Sequence, residues 1–318
     1  MDIQLFRNAT RDISFDVYLK LSEENVAHVF SRTTGLDYKR LAQYTQKGVR
    51  ELYIHPDDQD AFKAFVARPA HTIFKDPATT QEKKIATLLN MTEQNMAELF
   101  TSLNIPDETA ESSRRVIKNY VQLMTETPQT LALILKLVSH GEYLYYHSIA
   151  VSIFSMFIAK ASGQFNQRTL EIVGLGGFIH DIGTTQLSKE ITESVADLND
   201  DQWETMHTHP KLGLKALEGT TTIPDEVRYI VYQHHEQPSG KGYPNRIRST
   251  VIYYPAKIVA LADAFSALIS KRPFRPALTV PQAMTILQGE AVKEKYDRDL
   301  IGIMASVFLR QSSGQKAA

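Results

Sequence analysis

The sequence predicts a mostly α protein, with an all-helical C-terminal domain behind a small α/β module. Three observations carry this. From Gln81 onward, apolar residues recur at helical spacing with few breaks. Before that point, Phe15–Leu21 and Val49–His55 alternate apolar with polar residues and are rich in strand formers. Seven of the ten histidines then fall between His140 and His235, within the helical part.

Composition sets the frame. A chain of 318 residues with 43% apolar content can bury one large core or two modest ones, and two are expected. A net charge of −1 gives no global pull towards nucleic acid or an anionic membrane, so any phosphate site must be local. The absence of cysteine excludes a disulfide scaffold and a catalytic thiol, and suits a reducing compartment. The start, Met1-Asp-Ile-Gln-Leu-Phe6, lacks the pattern of a secretory signal. No segment approaches the roughly 20 apolar residues of a membrane span. A soluble, cytoplasmic protein is expected.

Residues 1–70 read as the α/β module. Between its two alternating segments, Glu23–Phe30 and Tyr38–Lys47 are expected as short helices, and Pro56 opens a third through Phe65. His28, His55 and His71 have no companion cluster and are assigned structural or surface roles.

Residues 71–127 read as a linker and connecting helices. A loop near 68–80 carries Pro69 and Pro77, and Gln81–Leu103 then places Ile85, Leu88, Leu89, Met96, Leu99 and Phe100 on one stripe. That helix either packs as core or joins the domains as a regulatory or dimer element. Asp107 is suited to cap the next helix, through Met124.

Residues 128–318 read as a succession of helices. Leu131–Val138 is apolar on nearly all faces and is expected to be buried, and Glu142–Ala161 follows with His147 in its first half. Leu170–Ile182 contains Gly174, Gly176 and Gly177, which permit close helix packing. It ends in His180-Asp181, with Gly183 expected as its C-terminal cap. Asp200–His209 is the next helix, with Trp203 expected inside. His207 and His209 stand two residues apart and cannot share a helical face, so only one should be a ligand.

Asp225–His235 closes on His234-His235, and Glu236 is a candidate to orient an imidazole. The loop Ser239-Gly-Lys-Gly-Tyr-Pro244 follows; Tyr243 could stack on a base or pack under the loop. Ala256–Ser270 is a strong helix whose polar outlier is Asp263, a carboxylate that needs a metal or a hydrogen-bond network if buried. Val280–Glu290 and Asp299–Arg310 show core periodicity, and Ser312–Ala318 is expected as a frayed tail.

Imidazole and carboxylate form the ligand set of first-row metal sites, and no thiolate is present. The order His147, His180-Asp181, His209-Pro210, His234-His235-Glu236, Gly242-Tyr243-Pro244 and Asp263 resembles the HD-GYP family, helical metal-dependent phosphodiesterases of bacterial cyclic di-GMP signalling. The resemblance covers about Pro128 to the C-terminus. Its residues 1–70 likewise resemble the accessory domains found ahead of HD-GYP domains.

The resemblance implies an HD-type helical domain and metal ligands at His147, His180, Asp181, His209, His234, His235 and Asp263, leaving His207 without a ligand role. It implies catalytic roles for Asp181, as the bridge, and His180, and substrate contacts from Arg272, Arg275, Lys241 and Tyr243. Family members often carry a glutamate one turn before the first histidine, for a third metal. Here that position is Tyr143, so two divalent ions are expected, iron first and manganese second. The implied substrate is cyclic di-GMP or a related cyclic dinucleotide, opened to pGpG and GMP, and the N-terminal module is a candidate contact for a signalling partner. A nucleic-acid polymer is not expected, for want of a basic stripe.

The chain departs from the family pattern at Thr184, where a phosphate-contacting lysine is usual, and at Ser239, Phe265, Ser266 and Phe274. Two readings therefore stand, a phosphodiesterase of reduced rate and a regulatory protein that binds cyclic dinucleotide or metal without turnover.

Overall fold

The computed structural model describes residues 1–6, 13–22, 25–37, 40–41, 43–44, 47–66, 79–101, 105–126, 143–192, 194, 197–271 and 275–312. The expected helix over 131–138, most of the loop over 68–80, Arg272 and most of the C-terminal tail lie outside these residues, as does much of the expected helix over 38–47. The chain divides into two compact units, Met1–Met91 and Thr92–Ala318.

The first unit holds a three-stranded antiparallel sheet of order β2-β1-β3, with β1 at Val17–Lys20, β2 at Val26–Phe30 and β3 at Tyr53–Ile54. β2 replaces the helix expected over Glu23–Phe30. Val26, Val29 and Phe30 satisfy a helical spacing, but β-branched and aromatic side chains also favour a strand, and the partner β1 decides between them. The backbone of Leu21 donates to Asn25 and closes the hairpin. Phe6, Phe15, Val17, Phe30, Leu52 and Phe65 form the core, with Phe15 edge-on to Phe62 and Phe65. His28 lies 3.4 Å from Asp16, and the His55 ring accepts from the Asp57 amide, which matches their structural assignment.

The second unit is helical. The chain runs through α1 (Gln81–Thr101, in which the division between the units falls), α2 (Asp107–Glu126), α3 (Tyr143–Ala161), α4 (Gln167–Ile179), a 3-10 segment Ile182–Gln186 and α5 (Lys189–Thr192). It continues through α6 (Asp200–Met206), α7 (His209–Ala216), α8 (Asp225–Gln233), α9 (Tyr254–Ile269), α10 (Val280–Val292) and α11 (Arg298–Ser312). Among the described residues no helix is long and apolar enough to cross a membrane.

The core lies where α3, α4 and α9 meet. α3 is apolar on most faces, so Ile149, Val151, Ile153, Phe154 and Met156 are all buried. Phe154, Phe265 and Phe308 bring α3, α9 and α11 together through ring contacts of 4.7–5.3 Å. Gly177 permits the close approach of α4 to α3, since a Cβ there would stand 2.9 Å from the Ser152 Cα. The Ser152 hydroxyl donates to the Gly174 carbonyl at 2.6 Å across the same seam.

Four expectations are corrected here. The Asp107 carboxylate does not cap its own helix; it accepts from Thr221 and Thr222, fastening the loop before α8 to the start of α2. α4 ends at Ile179, and Gly183 lies in the 3-10 segment, where it serves close approach. A Cβ at Gly183 would run into the His209 carbonyl and the Gly213 amide. The helix expected over Asp200–His209 is two helices, because His207 and Thr208 form a turn and Pro210 suits the first turn of α7. Trp203 is 48% exposed: α6 buries none of its residues, and the indole leans on the His207 ring at 5.6 Å.

Candidate metal centre

The local sequence of each helix end puts its histidine at the same place. His180 caps α4, His234 caps α8, His209 opens α7, and His147 and Asp263 stand inside α3 and α9. The fold gathers these with Asp181 and His235 into two adjoining groups. One is Asp181, His209, His234 and His235, and the other is His147, His180 and Asp263; within each, the ligand atoms lie within 4.8 Å of one another.

Asp181 joins the groups. Its Oδ2 lies 3.2 Å from His180 Nε2, and its Oδ1 lies 3.3 Å from His209 Nε2 and 3.5 Å from His234 Nε2. Asp263 Oδ1 lies 3.0 Å from His147 Nε2. All seven residues expected as ligands are thus in one cluster.

Hydrogen bonds on the far side of the rings set their tautomers. His180, His209 and His234 each turn Nδ1 to the carbonyl three residues back, Gly177, Met206 and Val231, at 2.8–2.9 Å. A carbonyl only accepts, so each Nδ1 carries a hydrogen and each Nε2 faces the centre. His147 Nδ1 meets the Ser266 hydroxyl at 3.1 Å, from a residue that is itself fully buried. This is the arrangement by which metal-binding imidazoles are oriented.

The donor set fits divalent cations. His209 Nε2 and His234 Nε2 are 3.3 Å apart, and two lone pairs at that distance repel unless a cation or a proton lies between. His180 Nε2 is buried and has no hydrogen-bond partner, because Asp181 is near it but out of line.

Charge follows the same geometry. Burial pulls the His180 ring down, but the Asp181 carboxylate outweighs it and raises its pKa to about 9. Burial lowers His209 to about 4, against the pull of Asp181, and burial with neighbouring His234 and His209 holds His235 well below the ordinary imidazole range. Burial would raise Asp181, yet His180 and its fellow rings keep it well below the usual carboxylate range; His147 does the same for Asp263. The centre thus sets two carboxylates beside the His209 and His235 rings that burial keeps neutral.

Beside it opens a cleft of about 300 Å³, lined by His234, His235, Tyr243, Asp263, Lys295 and Tyr296 among others. Tyr243 packs between two imidazoles, its ring 4.6 Å from His235 and 4.1 Å from His207. Burial, then the two carboxylates, push its phenol up, so the hydroxyl is a proton donor at neutral pH. These ring contacts pack it beside the centre, and it also lines the cleft.

The other substrate-side residues separate. Lys241 lies exposed on the loop outside the cleft lining. Arg275 gives its guanidinium to the carbonyls of Ala267, Leu268 and Pro276, which fastens the end of α9. Glu236 is likewise reassigned: it is buried and accepts from the amides of Asn245 and Ile247 at 2.6 and 3.1 Å, so it shapes the glycine loop instead of orienting an imidazole. Thr184 donates to the Asp181 carbonyl at 2.7 Å and brings no charge.

Sequence reasoning missed Ser266, Lys295 and Tyr296. Ser266 was noted only as a departure, and one turn of α9 from Asp263 to Ser266 was the available signal. Lys295-Tyr296 sits in a connection whose position only the fold reveals.

Residues 111–300 match the HD domain family. The chain is 30% identical over 126 residues to the cyclic di-GMP phosphodiesterase response regulator RpfG of Xanthomonas campestris, covering 39% of this chain and 33% of that protein. It is 26% identical over 167 residues to the 3'3'-cGAMP-specific phosphodiesterase 1 of Vibrio cholerae, covering 52% and 38%. It is 24% identical over 201 residues to the cyclic di-GMP phosphodiesterase PA4108 of Pseudomonas aeruginosa, covering 63% and 46%. The chain thus spans between a third and just under half of the length of these relatives. Among solved structures, Bd1817, a HDG"Y"P protein from Bdellovibrio bacteriovorus, shares its fold, with a TM-score of 0.71 at 18% identity over 97% of this chain and 98% of that one.

Proposed function

The chain belongs to the HD domain family, and from that premise we propose that it is a metal-dependent phosphodiesterase acting on a cyclic dinucleotide, with cyclic di-GMP as the first candidate. The observation that carries the reading is Asp181, whose two oxygens face His180 on one side and His209 and His234 on the other. A carboxylate so placed could be shared between two divalent cations, for which the family resemblance suggests iron first and manganese second.

His147, His180 and Asp263 would hold one ion, His209, His234 and His235 the other, with Asp181 shared. Two such ions would lower the pKa of a water and draw off charge from the phosphate oxygens. The residues themselves do the positioning. The carbonyls behind His180, His209 and His234 and the hydroxyl behind His147 prevent ring rotation, so the donors are aimed before any ion arrives. Tyr243 closes one side of the cleft and offers a hydroxyl held protonated. Supporting the substrate class, curated relatives are named as cyclic di-GMP and 3'3'-cGAMP phosphodiesterases. Opening cyclic di-GMP gives pGpG, and a second cut gives GMP. The module over 1–70 would carry the contact to a signalling partner in the cytoplasm.

A second reading, a regulator that binds without turnover, is favoured by two particulars: Thr184 brings no charge, and Arg275 is spent on carbonyls. Metal content on protein purified without chelating resin, followed by turnover of cyclic di-GMP and 3'3'-cGAMP on the same sample, separates the readings. About two equivalents of metal with product is expected. Two equivalents with binding and no product would transfer the chain to the regulatory reading, and no metal under any loading condition would overturn both.

A further inference from the structure

A phosphodiester entering the cleft carries a negative charge, and the protein side of the cleft is short of positive charge to meet it. Asp181 and Asp263 place two carboxyl groups at the centre, and Glu236 in the lining is occupied by two backbone amides. Among the described residues that line the cleft, Lys295 is the only lysine or arginine. It sits in the connection between α10 and α11, beside Tyr296, with its ammonium 5.7 Å from the centre of that ring.

Lys295 is also held without being consumed. Its Nζ lies 3.4 Å from Glu290 Oε2, while the other oxygen of Glu290 takes Lys293 at 2.8 Å. The lysine side chain stays 42% exposed, so this ion pair is weak and screened. A carboxylate at 3.4 Å keeps the ammonium near the cleft and yields readily to a better anion. Tyr296 stands at the same wall.

We propose that Lys295 is the cation that receives the substrate's phosphate on the wall of the cleft formed by the α10–α11 connection, supplying the charge that Thr184 does not. The proposal rests on the phosphodiesterase reading for its substrate, and it makes Lys295 a binding residue whose partner Glu290 competes with the ligand.

The test uses the full metal-loaded chain and its Lys295→Ala, Lys295→Arg and Glu290→Gln variants. Equilibrium titrations with cyclic di-GMP and with inorganic phosphate are run beside steady-state kinetics. Lys295→Ala should weaken both ligands roughly ten- to a hundredfold, the value of one charge-assisted contact, and raise KM similarly with little change in kcat. Lys295→Arg should restore most of the affinity. Glu290→Gln should tighten binding, because it removes the competing carboxylate. If the pair is only structural, Glu290→Gln will weaken binding as Lys295→Ala does, and that result overturns the proposal. So does unchanged affinity in Lys295→Ala at wild-type metal content. Failure of the phosphodiesterase reading shows elsewhere, as a wild-type chain that turns over no cyclic dinucleotide, and the phosphate titration then still decides the role of Lys295.

Discussion

His209 Nε2 and His234 Nε2 face each other at 3.3 Å, with each ring's Nδ1 committed to the carbonyl three residues before it. Neither nitrogen can donate to the other while both rings are neutral, so the pair makes no hydrogen bond of its own and leaves two lone pairs for a cation. His207, two residues before His209, is in neither ligand group and packs against Tyr243 at 4.1 Å. His209→Ala should therefore strip one metal equivalent and lower the melting temperature of loaded protein, while His207→Ala keeps its metal. Elemental analysis with thermal scans reads both; equal losses would refute the assignment.

Ser266 fixes the His147 ring from the back, across 119 residues of sequence. Removing its hydroxyl leaves Nδ1 facing a small void and frees the ring to turn. Ser266→Ala should weaken metal binding about ten- to a hundredfold, the usual cost of losing such a support, at a stability cost of about 1–3 kcal/mol. Competition with a metal-indicator dye measures the affinity, and wild-type affinity in the variant would remove Ser266 from the metal site.

Gly183 lets the start of α7 come against the 3-10 segment that follows Asp181. Because a Cβ there would meet the His209 carbonyl, which is backbone and cannot swing aside, Gly183→Ala should push His209 from Asp181. A loss of about 2–4 kcal/mol in stability is expected, with metal content falling alongside. Denaturant titration tests it, and a variant as stable as wild type would show that α7 approaches less closely than described.

Metal-free protein should be stable only over a limited span of pH. His209 has its folded pKa lowered to about 4, so the stability it contributes is present above its ordinary value near 6.5 and is lost as the pH falls through 4. His180 has its folded pKa raised to about 9, so its contribution is complete below 6.5 and is lost as the pH rises through 9. Chelator-treated protein should melt highest near pH 6–7 and lower on both sides. Asp181→Asn should remove the alkaline limb, since that carboxylate is what charges His180. An alkaline limb unchanged in Asp181→Asn would assign it to other groups.

The sequence by itself determined the helical class and which residue types would meet. Helices announce themselves locally, through apolar residues at helical spacing, so the boundaries of α3, α10 and α11 were readable within a few residues. His180, His209 and His234 each stand at a helix terminus with a supporting carbonyl three residues back, but it was the ordered resemblance that singled them out, and His209 opens α7 where the end of a helix was expected.

Tertiary structure decided what depends on partners far along the chain. β2 is a strand because β1 is beside it, although Val26–Phe30 alone allows a helix. Glu236, Arg275 and Asp107 were legible as polar residues in suggestive places, but their partners were not, and each turned out to fasten backbone. Trp203 is exposed because α6 buries none of its residues, and Lys295 reaches the cleft because the connection between α10 and α11 passes there. A short-range signal fixes a helix and its end through hydrogen bonds a few residues long. Which distant donor, acceptor or charge those ends meet is set by packing, and no local pattern of residues encodes it.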